Sequence, residues 1–171
     1  VLLNRQLTFL SSINLRNLGL FGVSTIATSY DNNIWLFDEQ DFKLKKINEA
    51  GVALLETVDW RTLFNEVPIP EKIMDQDDFV YLYDAKNGFY IFDYYGSLKN
   101  NLPFLNWEQV SVFKKTLYGF KDNQLITYQI GTLQTNTYNI PDNIQDFISI
   151  QIINSKMYVL KEAGVYIYQL L

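Results

Sequence analysis

Ile34-Trp35-Leu36-Phe37-Asp38 is a short aromatic strand that ends on an acid, and variants of it recur along the chain. The other copies read Val80-Tyr81-Leu82-Tyr83-Asp84, Leu117-Tyr118-Gly119-Phe120-Lys121 and Met157-Tyr158-Val159-Leu160-Lys161. Their anchors Trp35, Tyr81, Tyr118 and Tyr158 lie 46, 37 and 40 residues apart. A period near 40 residues with several short strands per repeat is what β-propeller blades produce. The expected fold is therefore all-β, with residues 1–171 forming one propeller domain in which about four blades are visible.

Working outward from each anchor, turn chemistry marks the neighbouring strands. In the first blade, Val23 to Ala27 precedes a turn at Asp31-Asn32-Asn33, where Asp and Asn tolerate positive φ. Ile34 to Phe37, Phe42 to Ile47 and Val52 to Val58 complete it, with Glu49-Ala50-Gly51 turning into the outer strand. The second blade runs Ile73-Met74, Phe79 to Tyr83, a hairpin signal at Asn87-Gly88, Phe89 to Phe92, and a strand after Tyr95-Gly96-Ser97. Gln109 to Phe113, Thr116 to Phe120, Leu125 to Ile130 and Thr135 to Ile140 read as the third blade. Phe147 to Ile152, Lys156 to Leu160 and Val165 to Gln169 read as a fourth without its outer strand.

Val1 to Leu15 reads as two strands joined near Asn4-Arg5-Gln6, resembling the third and outer strands of a blade whose first half is missing. An open sheet edge invites aggregation, so propellers close by pairing strands from both termini. The expectation is a larger propeller, incomplete here at its N-terminus. A closed four-blade ring using the N-terminal strands is the alternative. Val1 is not an initiator Met, which suggests a processed chain that a targeting sequence once preceded.

Composition restricts the chemistry. The chain has no Cys and no His, which removes disulfides, thiolate nucleophiles, most structural zinc sites and the usual general base. Its net charge of −5 repels phosphate backbones, and no basic stripe counters it, so nucleic acid is not an expected partner. No apolar run approaches the roughly 18 residues of a membrane span, so direct membrane insertion is not expected either.

Two acidic clusters stand out: Asp75, Asp77 and Asp78, and Asp38, Glu39 and Asp41. Neither has the Gly-punctuated spacing of a calcium loop, and solvated turn acids are the expected reading. A carboxylate-only glycosidase needs two acids flanking a sugar, and no pair is singled out, although Trp60 or Trp107 could stack on a ring. No phosphate loop or nucleophile elbow is present, and no cofactor or metal is expected.

The long connections are more informative. Asp59 can cap a single helical turn carrying Trp60, Leu63 and Phe64, with Pro68 and Pro70 stiffening the return. Pro103 to Trp107 and Asn17 to Gly22 occupy equivalent positions before the other blades. Large apolar residues in loops either mark a partner surface or fold back to cap blade edges. On the first reading Trp60, Arg61, Phe64, Phe104 and Trp107 are the partner contacts.

Thr25 to Asp38, followed by Phe42 to Asn48, resembles a divergent NHL-type propeller repeat, with Asn32 where that repeat usually has Gly. The same run, with Leu18-Gly19-Leu20 and Lys161 to Tyr168, resembles a group of exported propeller proteins of Bacteroidetes-type bacteria. That group takes in the plug subunit of the type 9 secretion translocon. The resemblance implies a periplasmic, non-catalytic binding module whose partner is a larger envelope protein, such as an outer-membrane export channel. The competing expectation is a carbohydrate-active or small-ligand enzyme that works through carboxylates.

Overall fold

A computed structural model describes residues 1–4 and 6–170; Arg5, in the expected link between the N-terminal strands, lies outside them, as does Leu171. A two-stranded hairpin comes first, β1 (Leu2–Leu3) with β2 (Phe9–Ser11). Blade 1 is β3 (Val23–Thr28), β4 (Ile34–Asp38), β5 (Lys43–Ile47) and β6 (Ala53–Glu56). Blade 2 is β7 (Lys72–Gln76), β8 (Phe79–Asp84), β9 (Gly88–Asp93) and β10 (Leu98–Leu102). Blade 3 is β11 (Glu108–Phe113), β12 (Thr116–Lys121), β13 (Gln124–Gln129) and β14 (Gln134–Asn139). Blade 4 has three strands, β15 (Ser149–Ile153), β16 (Lys156–Lys161) and β17 (Gly164–Gln169). Every pairing is between strands consecutive in sequence and antiparallel, the all-β propeller arrangement expected from the repeat.

Turn residues set the hairpins. Asp77-Asp78, Lys114-Lys115 and Asn154-Ser155 are the two-residue links between first and second strands of blades 2, 3 and 4, all at positive φ between 49° and 70°. Two central residues at positive φ match the right-handed twist of the flanking strands. Two acids of the first cluster are thus turn residues, and the Asp77 carboxylate accepts the Lys115 N–H of the next blade at 2.7 Å.

The N-terminal hairpin carries a signature of its own. Asn48 follows the third strand of blade 1 and Asp93 ends that of blade 2, and each side chain accepts two N–H groups of its turn. The donors are Ala50 and Val52 at 3.0 and 2.9 Å, and Tyr95 and Ser97 at 3.0 and 2.9 Å. Gly51 and Gly96 follow at φ +82° and +83°, a region closed to most side chains. Asn4 accepts from Gln6 and Thr8, both at 2.9 Å, with Leu7 at φ 60°. The described residues of the β1–β2 turn therefore share the hydrogen-bond pattern of the third-to-outer-strand turns.

Blades pack face to face because alternate residues of each strand point to opposite sides. Trp35, Phe37 and Leu44 of blade 1 meet Ile73, Val80, Leu82, Tyr90 and Phe92 of blade 2. Tyr81, Tyr83, Phe89 and Ile91, on the other side of blade 2, meet Val112, Leu117 and Tyr128 of blade 3. Phe120 of blade 3 meets Ile150, Ile152, Met157 and Val159 of blade 4.

Polar groups lock these joints. Asp75, on the inner strand of blade 2, accepts from Trp35 Nε1 at 2.8 Å, Ser29 Oγ at 2.8 Å and Tyr94 OH at 2.5 Å. The Lys46 ammonium lies 5.0 Å from the Tyr30 and Trp35 ring centres and 2.7 Å from Asp31 Oδ2. Lys45 is buried against Asp38 at 2.8 Å and Asp41 at 2.5 Å, so two acids of the second cluster neutralise one lysine. Replacing Asp75 by Ala strands the fully buried Trp35 indole N–H, at a cost of about 1–3 kcal/mol. Urea titration of the D75A variant should show that loss in its midpoint with an unchanged slope.

The ionic pairs also fix the pH range of stability. Burial works against ionisation of Asp31 and Asp93, but hydrogen bonds from Lys46, Asn33 and Ser29 to Asp31, and from Lys99 and the Ser97 and Tyr95 N–H groups to Asp93, together outweigh it and hold both below the ordinary carboxylate value. The hydrogen bond from Lys45 lowers Asp41 in the same way. Groups lowered on folding contribute stability above their unfolded value near 3.8, and lose it as pH falls through the folded value. Burial opposes the charge on Lys45, yet Asp38 and Asp41 raise its pKa, and burial raises Tyr81, Tyr83 and Tyr94. Those contributions hold below about 10 and are lost above it. Melting temperature against pH should therefore show a plateau between about 4 and 10 with a fall on both sides.

Candidate functional site

The long connections meet at one end of the blades. Ile69 N–H donates to Asp84 Oδ2 at 2.9 Å, and Asn106 N–H donates to Ala85 O at 2.8 Å. These bonds tie the loop before blade 2 and the loop before blade 3 to the turn between β8 and β9.

Asp59 caps the expected helical turn. Its side chain accepts Arg61 N–H at 2.9 Å, and a 3-10 turn spans Trp60–Thr62. The turn points Trp60 inward. Trp60 is 0% exposed, its ring 4.7 Å from Phe37, 5.2 Å from Phe92 and 5.8 Å from Tyr90, and its Nε1 donates to Thr57 Oγ1 at 3.1 Å. Phe64 packs edge-on against Trp60 and Tyr90 at 5.7 and 4.9 Å. Before blade 3, Phe104 stacks on Trp107 at 4.7 Å and meets Tyr128 at the same distance. Trp107 is 5% exposed and lies on Gly119, where an added Cβ would meet the indole at 2.4 Å.

Of the five residues expected as partner contacts, the structure thus makes Trp60 and Trp107 part of the core, with Phe64 and Phe104 packed beside them. The reason is that each loop folds back over the groove between two blades, where an indole buries more apolar area than it could in solvent. Arg61 is the exception. It is exposed, forks onto Asp59 at 2.5–3.0 Å, and lies 5.0 Å from the Phe42 ring. Hydrogen bonds from Arg61 hold the Asp59 pKa down at about 2. Leu63, Ile69 and Leu105 of the same loops are also exposed.

Between the inner strands of blades 2 and 3 this end opens into a cavity of about 540 Å³ lined by Glu71, Lys72, Tyr83, Asn106, Glu108 and Gln109 among others. Lys72 Nζ donates to Val110 O at 2.6 Å, joining β7 to β11, and burial holds its pKa below the ordinary lysine value. Glu71 Oε1 accepts Ala85 N–H at 3.3 Å. The Tyr83 oxygen accepts Trp107 N–H at 2.6 Å; burial foremost pushes the phenol up to about 12. Gln109 sits at φ 50° where the register of β11 slips, and its Oε1 accepts from Ser149 Oγ and Ile150 N at 3.0 and 3.1 Å. Two carboxylates and an amine share this lining, which suits a polar or charged group. Sequence reasoning missed this pocket, because nothing in the spacing of Glu71, Lys72 and Glu108 announces that they line one cavity.

No family model matches the chain, and no curated relative is found for it. Solved structures do resemble it. The computationally designed Ika4 protein matches over 88% of this chain and 92% of its own, at 11% identity and a TM-score of 0.58. Virginiamycin B lyase from Staphylococcus aureus matches 86% of the chain at 15% identity and a TM-score of 0.54, but over only 55% of the lyase. The extracellular domain of a B. thetaiotaomicron protein classed as a one-component system matches 86% of the chain and 19% of its own, at 14% identity and a TM-score of 0.56. At these identities the likeness is one of fold, and the fold is a β-propeller. The chain spans about half the length of the lyase and a fifth of that extracellular domain.

The packing geometry generates a prediction that separates core from contact. Trp60→Ala should cost about 3–5 kcal/mol, and Gly119→Ala about 1–3 kcal/mol by driving Trp107 out of its slot. Arg61→Ala should leave the melting temperature within a degree or two. Thermal denaturation followed by tryptophan fluorescence checks all three.

Proposed function

We propose that the chain is a non-catalytic binding module that docks on a larger envelope protein through its long-loop end. One observation carries the reading: the conspicuous carboxylates already have structural duties, while that end presents exposed Arg61, Leu63, Ile69 and Leu105 and opens into a polar cavity. Asp75 is spent on Trp35, Ser29 and Tyr94, and Asp38 on Lys45. The Asp84 side chain accepts the N–H groups of Ile69 and Lys86 at 2.9 and 2.8 Å.

A catalytically inactive form of virginiamycin B lyase carries alanine in place of one histidine. This chain has no histidine, so likeness to the lyase supports no shared chemistry. Likeness to an extracellular domain agrees with a location outside the cytoplasm. The sequence resemblance to exported propellers extends the proposal to a periplasmic module that plugs or gates an outer-membrane export channel. No helix among the described residues is long and apolar enough to cross a membrane, which suits a module that docks rather than spans.

The test is affinity capture of tagged protein from detergent-solubilised envelopes, with mass spectrometry as the readout. Near-stoichiometric recovery of one large outer-membrane channel, lost in an Arg61→Glu, Ile69→Asp double variant that keeps its fold, is the expected result. Recovery of the protein alone, or a hydrolysis abolished by a single carboxylate change at Glu71 or Glu108, sinks the reading.

A further inference from the structure

The cavity between blades 2 and 3 takes its lining from the starts of β7 and β11 and the end of β8, so neither chain terminus contributes to it. Burial grades that lining. Glu71, Asn106 and Glu108 are exposed, and Lys72 and Gln109 are half-buried. Tyr83 is the most deeply buried of the polar side chains, at 3% exposure. The volume of about 540 Å³ lies within the roughly 300–1,000 Å³ of small-molecule sites.

The more buried groups are donors with bonds left to make. Lys72 Nζ spends one N–H on Val110 O at 2.6 Å, and its other two find no acceptor among the described residues. The Tyr83 oxygen accepts Trp107 N–H, yet its own O–H has no acceptor there. Gln109 Oε1 takes Ser149 Oγ and Ile150 N–H, which leaves its Nε2 amide free to donate. The exposed acids are acceptors, and Glu71 receives only Ala85 N–H, at 3.3 Å. None of Glu71, Lys72 and Glu108 enters an ion pair among the described residues. Burial alone holds the Lys72 pKa down, whereas a carboxylate close enough to pair would oppose it.

Simpler ligands leave part of this lining unsatisfied. A neutral sugar brings no charge to the amine or the acids, a lone anion faces two carboxylates, and a lone cation leaves Lys72 without a counter-ion. We propose that the cavity binds a free α-amino acid with a cationic side chain. Its carboxylate takes the Lys72 ammonium, the Tyr83 O–H and Gln109 Nε2, and its two cationic groups take Glu71 and Glu108. Each of the three charges in the lining then has an opposite partner. The site is complete within one chain and needs no docked protein.

The test is isothermal titration calorimetry of the purified chain with arginine and with agmatine, the same molecule without its carboxylate. Agmatine carries the larger positive charge, so attraction to the acids alone would favour it. Arginine should instead bind about tenfold more tightly or better, the worth of one charge-assisted pair. Lys72→Met should abolish that preference, and Glu108→Gln, at an exposed position, should weaken arginine about tenfold, both with an unchanged circular dichroism spectrum. Agmatine binding as tightly as arginine, no arginine binding at millimolar concentration, or a preference that survives Lys72→Met overturns the proposal. So does an arginine affinity unmoved by Glu108→Gln, whether or not Lys72→Met folds. The purified chain contains no envelope protein, so failure here leaves capture of a channel to stand or fall by itself.

Discussion

The wedging of a loop indole between neighbouring blades is the contact on which the rest of the structure depends. Sheets that twist cannot lie flat on one another along their whole length, so the gap between two blades widens toward the rim. Trp60 fills it between blades 1 and 2, and Trp107 between blades 2 and 3. Both belong to loops rather than strands, so the loop conformation and the blade angle are set together. The Asp59 cap, the Thr57 hydroxyl and the slot over Gly119 all serve that end.

The same constraint accounts for the distribution of charge. A face-to-face stack leaves little room for unpaired polar groups, since each one buried costs more than a hydrogen bond returns. Accordingly Asp75, Asp38 and Lys45 are satisfied within or across the joints, and no buried side-chain nitrogen or oxygen among the described residues lacks a partner. What remains free to act is confined to the ends of the blades. The polar cavity lined by Glu71, Lys72 and Glu108 lies there, beside the point where the register of β11 slips.

The legibility of the sequence follows from burial. The second strands, such as Val80 to Asp84, are buried on both faces and stand out as aromatic runs. Outer strands are more polar: Gln134–Asn139 is largely exposed and Leu98–Leu102 alternates half-buried and exposed residues before Leu102, so turn residues rather than hydrophobicity reveal them. Loop aromatics were the hard case. Whether Trp60 points to solvent depends on Phe92 and Tyr90, some 30 residues downstream, and no local pattern encodes that. Gly119 was the one available signal for Trp107: a glycine inside an aromatic strand marks a close approach.

A stack of blades held by one repeated contact has a further property. Because each joint is closed by side chains of both members, a blade with one covered face is half satisfied wherever it sits in the series. Blade 2 shows the covered state on both sides: Ile91 and Val80 are each at or below 3% exposure. Ile167 of blade 4 and Ile26 of blade 1 show the uncovered state at around 60%. Positions of the same chemistry thus differ more than tenfold in solvent contact according to whether a neighbour is present. The long-loop end does not depend on that neighbour, since Arg61, Ile69 and the cavity between blades 2 and 3 are shaped by the interior joints alone. The surface at that end is therefore physically separable from the outer faces of blades 1 and 4.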